Sequence, residues 1–307
     1  LAALGTAVLA FSGEAAAAGK PGLRVQASPF RVTVMSASGR PLLQTVSGDF
    51  KAGGVRYGGL GFSVGPDPEL VAPVIGGEVP AGEGQSAPER YLAKRLIRVR
   101  KKDGAIRAVF ATDDPEGRTL SLELDSAGRG LLRLRAEVTP SKGVGAISAG
   151  FVTPRSEAFH GFGGRREGTD LRGLDMKSWV LDYRYPDAST GWYAPVPGFI
   201  SSRGYGLLLG GDRISRWRMA SDSNRAWRVS KPGSRLSMTV ASGGARRAIR
   251  GITSVTGRHR LPPSWSTGAM LSRTIGILGD SAPGSYQGRV AADVDRIIAG
   301  DLPVASY

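Results

Sequence analysis

Leu120-Ser121-Leu122-Glu123-Leu124, followed across a glycine-containing turn by Leu132-Arg133-Leu134-Arg135-Ala136-Glu137-Val138, is the stretch that decides the fold. Apolar residues take every second position and polar or charged ones the positions between. Side chains of a β-strand point alternately to its two faces, so each run reads as a strand with one buried and one wet face. The same period extends upstream. Phe30, Val32 and Val34 alternate with Arg31 and Thr33 before Ser38-Gly39 turns the chain into Leu42-Leu43. Ile97 and Val99 lead to Asp103-Gly104, and Ile106 to Phe110 follow. Asp-Gly between such runs predicts a two-residue type I′ hairpin, because both central residues need positive φ. Many short strands at this spacing, from about Leu23 to Ala241, predict a sandwich or barrel. Gly48 to Pro88 is rich in Gly, Pro and Glu with weak periodicity, and reads as a long, partly exposed excursion between strands.

The period changes after Gly243. Ala245, Ala248, Ile252 and Val255 share one helical face, and Leu261-Pro262-Pro263-Ser264-Trp265 follows as a stiff linker that no helix can cross. Gly268 to Leu278 is a candidate strand. Val290, Val294, Ile297 and Ile298 form an amphipathic helix that Gly300 ends, and Leu302-Pro303-Val304-Ala305 begins another strand. Strand, helix, strand is the opening unit of a parallel α/β domain. One such unit leaves a face of its sheet bare, so the chain is expected to be part of a longer protein. The organisation expected is a leader over 1–22, a β domain over 23–242, a helix and Pro-rich linker over 243–267, and the start of an α/β domain over 268–307.

Composition narrows the chemistry. There is no Cys, which excludes disulfides, thiolate catalysis and Cys-based metal sites. The two His, His160 and His259, are too few and too far apart for most metal sites; either could act as a base, and each reads more simply as a structural histidine. No metal and no cofactor is expected. Lys and Arg number 41 against 26 Asp and Glu, a net charge of +15. The basic residues are spread singly over alternating strand positions, as at Arg98, Arg100, Arg133 and Arg135, rather than gathered on one reading element. No nucleic acid is therefore expected as partner. Leu1 to Phe11 is a short apolar run followed by Ala15-Ala16-Ala17-Ala18-Gly19, which has the character of a secretory signal without its basic start. It is too short for a membrane span, and the expected location is extracellular.

Phe159 to Arg273 carries a more specific set of motifs. In order they are Phe159-His160-Gly161-Phe162-Gly163-Gly164, Leu171-Arg172-Gly173, Trp179 with Asp182, Phe199-Ile200-Ser201-Ser202-Arg203-Gly204-Tyr205-Gly206, the Leu261 to Trp265 linker and Leu271-Ser272-Arg273. In this order and spacing the chain resembles glycoside hydrolase family 31, the α-glucosidase and α-xylosidase family. The resemblance covers the second half of the chain well and the first half only by strand pattern. It implies a mainly β fold: a β-sandwich of the galactose-mutarotase-like type, followed by the first βαβ unit of a truncated (β/α)8 barrel. It further implies that the parent hydrolyses O-glycosyl bonds of α-linked oligosaccharides.

Three residues are then expected to meet the sugar. Taken alone, Trp179 reads as core packing and Asp182 as a turn residue. Within the ordered set, Trp179 offers an apolar ring face to sugar C–H groups and Asp182 a carboxylate to its hydroxyls. Arg273 matches the end of the first barrel strand, where such enzymes gather their sites; Thr274 stands where many relatives have an aromatic. Arg203 and Tyr205 read as structural. Retaining hydrolysis needs two carboxyl groups about 5 Å apart, which the resemblance puts beyond Tyr307. Asp113-Asp114, Asp293 and Asp295 do not fit, so no catalytic residue is assigned. A non-catalytic carbohydrate-binding or structural β-sandwich protein is the alternative, and a basic-patch nucleic-acid binder a distant third.

Overall fold

Alternation over 119–139 becomes the predicted strand pair. Thr119–Gly128 and Leu131–Thr139 run antiparallel with Leu122 opposite Ala136, and the even-numbered Leu120 to Val138 set faces the core. In the computed structural model of the protein, residues 8–9, 21–52, 55–71, 88–128, 130–165, 167–180, 194–258, 269–270, 295–296, 298–300 and 304–306 are described. They fall into two compact units, Leu1–Thr256 and Gly257–Tyr307.

The first unit is almost entirely antiparallel β. A small sheet is formed by β1 (Val8–Leu9), β2 (Gly22–Gln26), β3 (Arg31–Met35) and β4 (Pro41–Gln44), and a ribbon by β5 (Phe50–Ala52) and β6 (Val55–Tyr57). The remaining strands are β7 (Leu60–Val64), β8 (Arg90–Lys102), β9 (Ala105–Thr112), β10 (Thr119–Gly128), β11 (Leu131–Thr139), β12 (Val144–Val152), β13 (Phe159–Gly163), β14 (Asp175–Ser178), β15 (Pro195–Ser201), β16 (Tyr205–Leu209), β17 (Ser215–Met219), β18 (Ala226–Pro232) and β19 (Arg235–Ser242). They form one continuous ladder in the order β13-β15-β16-β19-β11-β10-β9-β8-β7-β12-β18-β17-β14. The turn joining β8 to β9 is the predicted one, with φ of 51° at Asp103 and 79° at Gly104.

The ladder folds over on itself through β8. Arg90 to Leu92 pair with β7, the rest of the strand pairs with β9, and two register shifts, between Ala93 and Arg95 and between Leu96 and Arg98, break the pleat. Bulges of this kind bend a strand and increase its twist, which lets one strand serve two layers. The layers meet through aromatic rings. Phe199 of β15 lies edge-on to Trp217 of β17 at 6.1 Å and to Trp227 of β18 at 5.1 Å, and Phe162 of β13 touches Trp217 at 5.1 Å. The core is therefore that of a β-sandwich.

One stretch corrects the sequence reading. Within the Gly48–Pro88 excursion, β7 is an interior strand between β8 and β12, with Leu60 and Phe62 buried. Its glycines reflect crowding rather than a loop: a Cβ on Gly61 would lie 2.6 Å from Leu92 Cδ2 and 2.8 Å from the Tyr91 carbonyl oxygen. Residues 72–87 of the same excursion lie outside the described set.

The outer face of β17 and β18 is covered by a charged cluster. Arg218 bonds Tyr57 Oη at 2.9 Å, Glu69 at 2.5 Å and Asp175 at 2.9 Å; Arg216 forks onto Asp175 with two bonds of 2.8 Å. Arg90 bonds the buried Asp67 at 2.7 Å. Arg228 pairs with Asp222 and lies over the Tyr57 ring, and burial pushes its guanidinium down to about 9. Four arginines thus meet four carboxylates, and the cluster pins the β5–β6 ribbon and the Pro68–Leu70 turn to the sandwich.

Following this layer, α1 (Ala245–Thr256) lies against the sandwich through Ala248 and Ile252, which pack on Leu131 and Ala241. In the second unit β20 (Ala269–Met270) pairs parallel with β21 (Val304–Ser306). Among the described residues no helix is long and apolar enough to cross a membrane, and no group of three or more His, Cys, Asp or Glu is placed to hold a metal.

Two expectations follow for stability. Phe199, 1% exposed, holds both layers, so Phe199→Ala should cost about 3–5 kcal/mol, against under ~0.5 kcal/mol for the half-exposed Ile97→Ala; urea unfolding of each variant measures this. The second concerns acid. Burial works to raise the Asp175 carboxyl, but the bond from Arg216 and the charge of Arg218 outweigh it and hold it below 3.8. Its folded value being depressed, its contribution is complete above pH 3.8 and is lost as pH falls through that lower value. Asp175→Asn should therefore lose less stability than the parent between pH 5 and pH 2, and equal losses in urea titrations at the two pH values would refute this.

Candidate functional site

The motif segments that are widely spaced in sequence come together around β13 and β15. Phe159 and Phe162 of β13 are fully buried and pack on Phe199, at 5.2 and 5.7 Å. Between and after them the backbone takes a shape closed to ordinary strands, with φ of 62° at Phe162 and 90° at Gly163. A Cβ on Gly163 would stand 2.0 Å from the Ala194 carbonyl oxygen, so only glycine lets the end of β13 cross the start of β15 this closely. The Phe-x-Gly-x-Gly segment is thus an aromatic anchor joined to a close crossing.

Trp179 follows directly on β14. That strand pairs with β17, Ser178 opposite Ser215, with Met176 wholly buried beneath. Arg165, at the end of β13's turn, is 1% exposed, and its Nη2 donates to the Lys177 carbonyl oxygen at 3.1 Å. The carboxylate of Glu167 lies 3.9 Å from its guanidinium, and burial lowers the Arg165 pKa. The start of the Trp179 loop is therefore fastened from below by Met176 and from the side by Arg165. Trp179 is half-buried and its neighbour Val180 is 63% exposed. Asp182 and Arg273 lie outside the described residues, as do His259, Asp293 and the Leu261 to Trp265 linker.

At the opposite end of β15 a buried carboxylate organises the other motifs. Glu157 accepts hydrogen bonds from Ser201 Oγ at 2.5 Å, Tyr205 Oη at 2.8 Å and Thr153 Oγ1 at 2.8 Å, with Arg203 at 3.6 Å. Burial, and then the Glu157 charge, raises the Tyr205 phenol well above its ordinary value. Arg172 donates to Thr153 Oγ1 and to the Glu157 and Asn224 carbonyl oxygens, and Asp170 accepts from the Phe159 and Arg172 amides. Leu-Arg-Gly and Phe-Ile-Ser-Ser-Arg-Gly-Tyr-Gly are two parts of one buried polar joint, and Arg203 and Tyr205 belong to it. Glu157 was not visible in sequence as its keystone, since its partners stand up to 48 positions away.

The other carboxylates and the histidine are accounted for locally. Asp114 holds the buried Arg118, Asp113 accepts from the Leu92 amide at 2.7 Å, and Asp295 is exposed. His160 is exposed with Nδ1 2.6 Å from the Thr169 carbonyl oxygen. None forms part of a carboxylate pair suited to glycosidic chemistry.

Comparison with known proteins places this geometry. The isomaltosyltransferase of Sporosarcina globispora is 25% identical over 128 residues, 40% of this chain and 12% of that protein. The cycloalternan-forming enzyme of Listeria monocytogenes, solved with a pentasaccharide substrate, superposes with a TM-score of 0.53 at 16% identity, over 90% of this chain and 29% of its own. A family 31 sulfoquinovosidase from E. rectale gives 0.52 at 14% identity, over 81% of this chain and 38% of its own. The two structures share the fold, and the chain spans well under half the length of each of these relatives. Residues 14–210, which include Glu157 with its three hydroxyl donors, the Phe159–Phe199 contact and Trp179, match the family described as "Glycosyl hydrolase 31 N-terminal galactose mutarotase-like domain", and to that family the chain belongs.

Proposed function

We propose that the protein containing this chain is a secreted, retaining glycosidase that hydrolyses α-linked oligosaccharides, and that this part supplies one wall of the sugar site without the catalytic pair. Family membership supports the substrate class, and the observation that carries the site is the seat of Trp179. Trp179 is only partly buried and follows directly on a strand whose end is held by Met176 and Arg165, so it can offer ring surface to a sugar.

The division of labour follows from the chemistry. Trp179 stacks on the C–H face of one sugar ring, and Asp182, three positions further along the loop, accepts hydrogen bonds from its hydroxyls. Arg273 donates from the end of the first strand of a (β/α)8 barrel that begins within 268–307, a reading that the parallel β20–β21 pair supports. Two carboxyl groups about 5 Å apart, supplied by that barrel, act as nucleophile and acid/base. Transfer to a second sugar uses the same steps with a hydroxyl in place of water, so the transferase among the relatives fits the same chemistry. The apolar and Ala-rich leader, residues 1–22, directs export.

The full-length protein should turn over at least one member of a panel of aryl α-glycosides, with the α-anomer as the first product seen by proton NMR. Trp179→Ala should raise KM about tenfold, the ~1.4 kcal/mol of a lost stacking contact, with the melting temperature unchanged. Absence of turnover on every substrate would rule out the enzyme and leave a sugar-binding module.

A further inference from the structure

Two concave pockets adjoin at the pole of the sandwich away from Trp179. One, of about 490 Å³, is lined by Pro41, Leu42, Thr153, Arg155, Arg203 and Arg225 among others. The second, of about 750 Å³, shares Pro41, Leu42 and Arg203 and continues past Ser36, Arg40, Ser242 and Arg247. The shared residues make them one groove, with Arg203 at its middle.

Strand register fixes where the groove lies. β15 runs from Pro195, opposite Gly163, to Ser201, opposite Phe159. Its seven residues span about 20 Å at ~3.3 Å per residue. Trp179 follows Ser178, which pairs with Ser215 at the Pro195 end, whereas the groove is built on the Ser201–Tyr205 turn and on Val152 and Arg225 at the other end of β12 and β18. The groove is thus separate from the sugar wall described above.

Its charge is one-sided. Among the described residues, five arginines and no carboxylate line the two pockets. Arg203 is neutralised in part by Glu157 beneath it, at 3.6 Å. Arg40, Arg155, Arg225 and Arg247 are exposed and, among the described residues, make no ion pair, unlike the arginines that meet carboxylates on the outer face of β17 and β18. Cations placed along a concave wall with no counter-charge create a field that draws in anions. Arg155 and Arg225 border one pocket, Arg40 and Arg247 the other and Arg203 both, which suits a chain carrying charges at intervals rather than a single ion.

The remaining lining distinguishes between polyanions. Single-stranded nucleic acid is held by exposed aromatic platforms for its bases. Here the only aromatic in the two linings, among the described residues, is Tyr205, 1% exposed and committed to Glu157. What the groove offers between its cations is hydroxyl and amide groups, at Ser36, Ser38, Gln44 and Ser242, over an aliphatic floor of Pro41, Leu42 and Leu43. Hydroxyl-rich rings bearing carboxylate or sulfate groups match that surface. We infer that this groove is a second binding site, for a segment of an acidic polysaccharide.

The experiment uses the full-length protein and measures binding to polygalacturonate by calorimetry, with neutral dextran of similar length and single-stranded DNA as the other probes. Polygalacturonate should bind and dextran should not at this pole. The double variants Arg155→Gln/Arg225→Gln and Arg40→Gln/Arg247→Gln should each weaken polygalacturonate binding about tenfold, the loss of one or two charge-assisted hydrogen bonds, and flatten its salt dependence. Turnover of the best aryl α-glycoside should be unchanged in both, which separates this site from the one carrying Trp179; a protein with no glycosidase activity would leave the binding result intact. Unchanged polygalacturonate affinity in both variants would overturn the inference, since binding would then come from the net charge elsewhere. DNA binding that is tighter than polygalacturonate and lost in the same variants would overturn it in favour of a nucleic-acid groove. Arg203 is left in place because it contacts Glu157 and its removal would disturb the joint below.

Discussion

Phe199 is the contact on which the rest of the fold depends. Its ring is within 6.1 Å of Phe159, Phe162, Tyr205, Trp217 and Trp227, drawn from β13, β16, β17 and β18. The first two strands of that group belong to one layer of the sandwich and the last two to the other. A long antiparallel ladder has no inherent reason to close; it does so when the faces of its two halves bury more apolar surface against each other than either would alone. Large rings in edge-to-face contact supply that surface and also a preferred geometry. The bulges in β8 permit the fold, and the aromatic cluster decides where it closes.

The motifs that identify the family are, in this light, mostly architecture. Phe159 and Phe162 are part of the aromatic cluster, and the glycine between them and β15 is required by a carbonyl oxygen that leaves no room for a side chain. Leu-Arg-Gly and Phe-Ile-Ser-Ser-Arg-Gly-Tyr-Gly meet at Glu157, a carboxylate with no exposed surface whose three hydroxyl donors and nearby guanidinium take the place of water. A buried carboxylate is costly unless fully partnered, so removing one partner strands the others. Trp179 follows β14, whose end is held by the buried Met176 and by the Arg165 bond to the Lys177 carbonyl oxygen.

How much of this could be read from sequence depended on the range of the interaction. Period-two runs such as Leu120 to Leu124 and the Asp103-Gly104 turn are local, and both stand as read. β7 was misread because composition and packing disagree there: glycine signals a loop statistically, yet Gly61 is needed where Leu92 presses on the backbone. The α1 face was only partly legible. Ala248 and Ile252 meet Leu131 and Ala241, while Val255, on the same stripe, is 51% exposed, because the sandwich edge reaches no further along the helix. The cluster around Arg218 was invisible, since its partners Tyr57 and Glu69 stand 161 and 149 positions away. Trp179 is singled out through its neighbours in order rather than by any property of its own, and like Asp182 and Arg273 it belongs to the proposed site alone.

Charge makes the same point at the scale of the whole domain. A surplus of +15 says little about partners until each cation is assigned a place. Arg135 bridges Glu123 and Asp125 across β10 and β11, and Arg216 and Arg218 share Glu69 and Asp175; these arginines hold the sandwich and its cover together, and their field is largely cancelled at short range. Four of the arginines that make no ion pair among the described residues, Arg40, Arg155, Arg225 and Arg247, border the two adjoining pockets. A protein under no constraint there could have placed an acidic residue among them at no cost to the fold, since those side chains are exposed and make no contact that the core requires. Among the described residues, it is the absence of such a neutralising residue from the groove wall, not the size of the net charge, that gives the groove its chemical character.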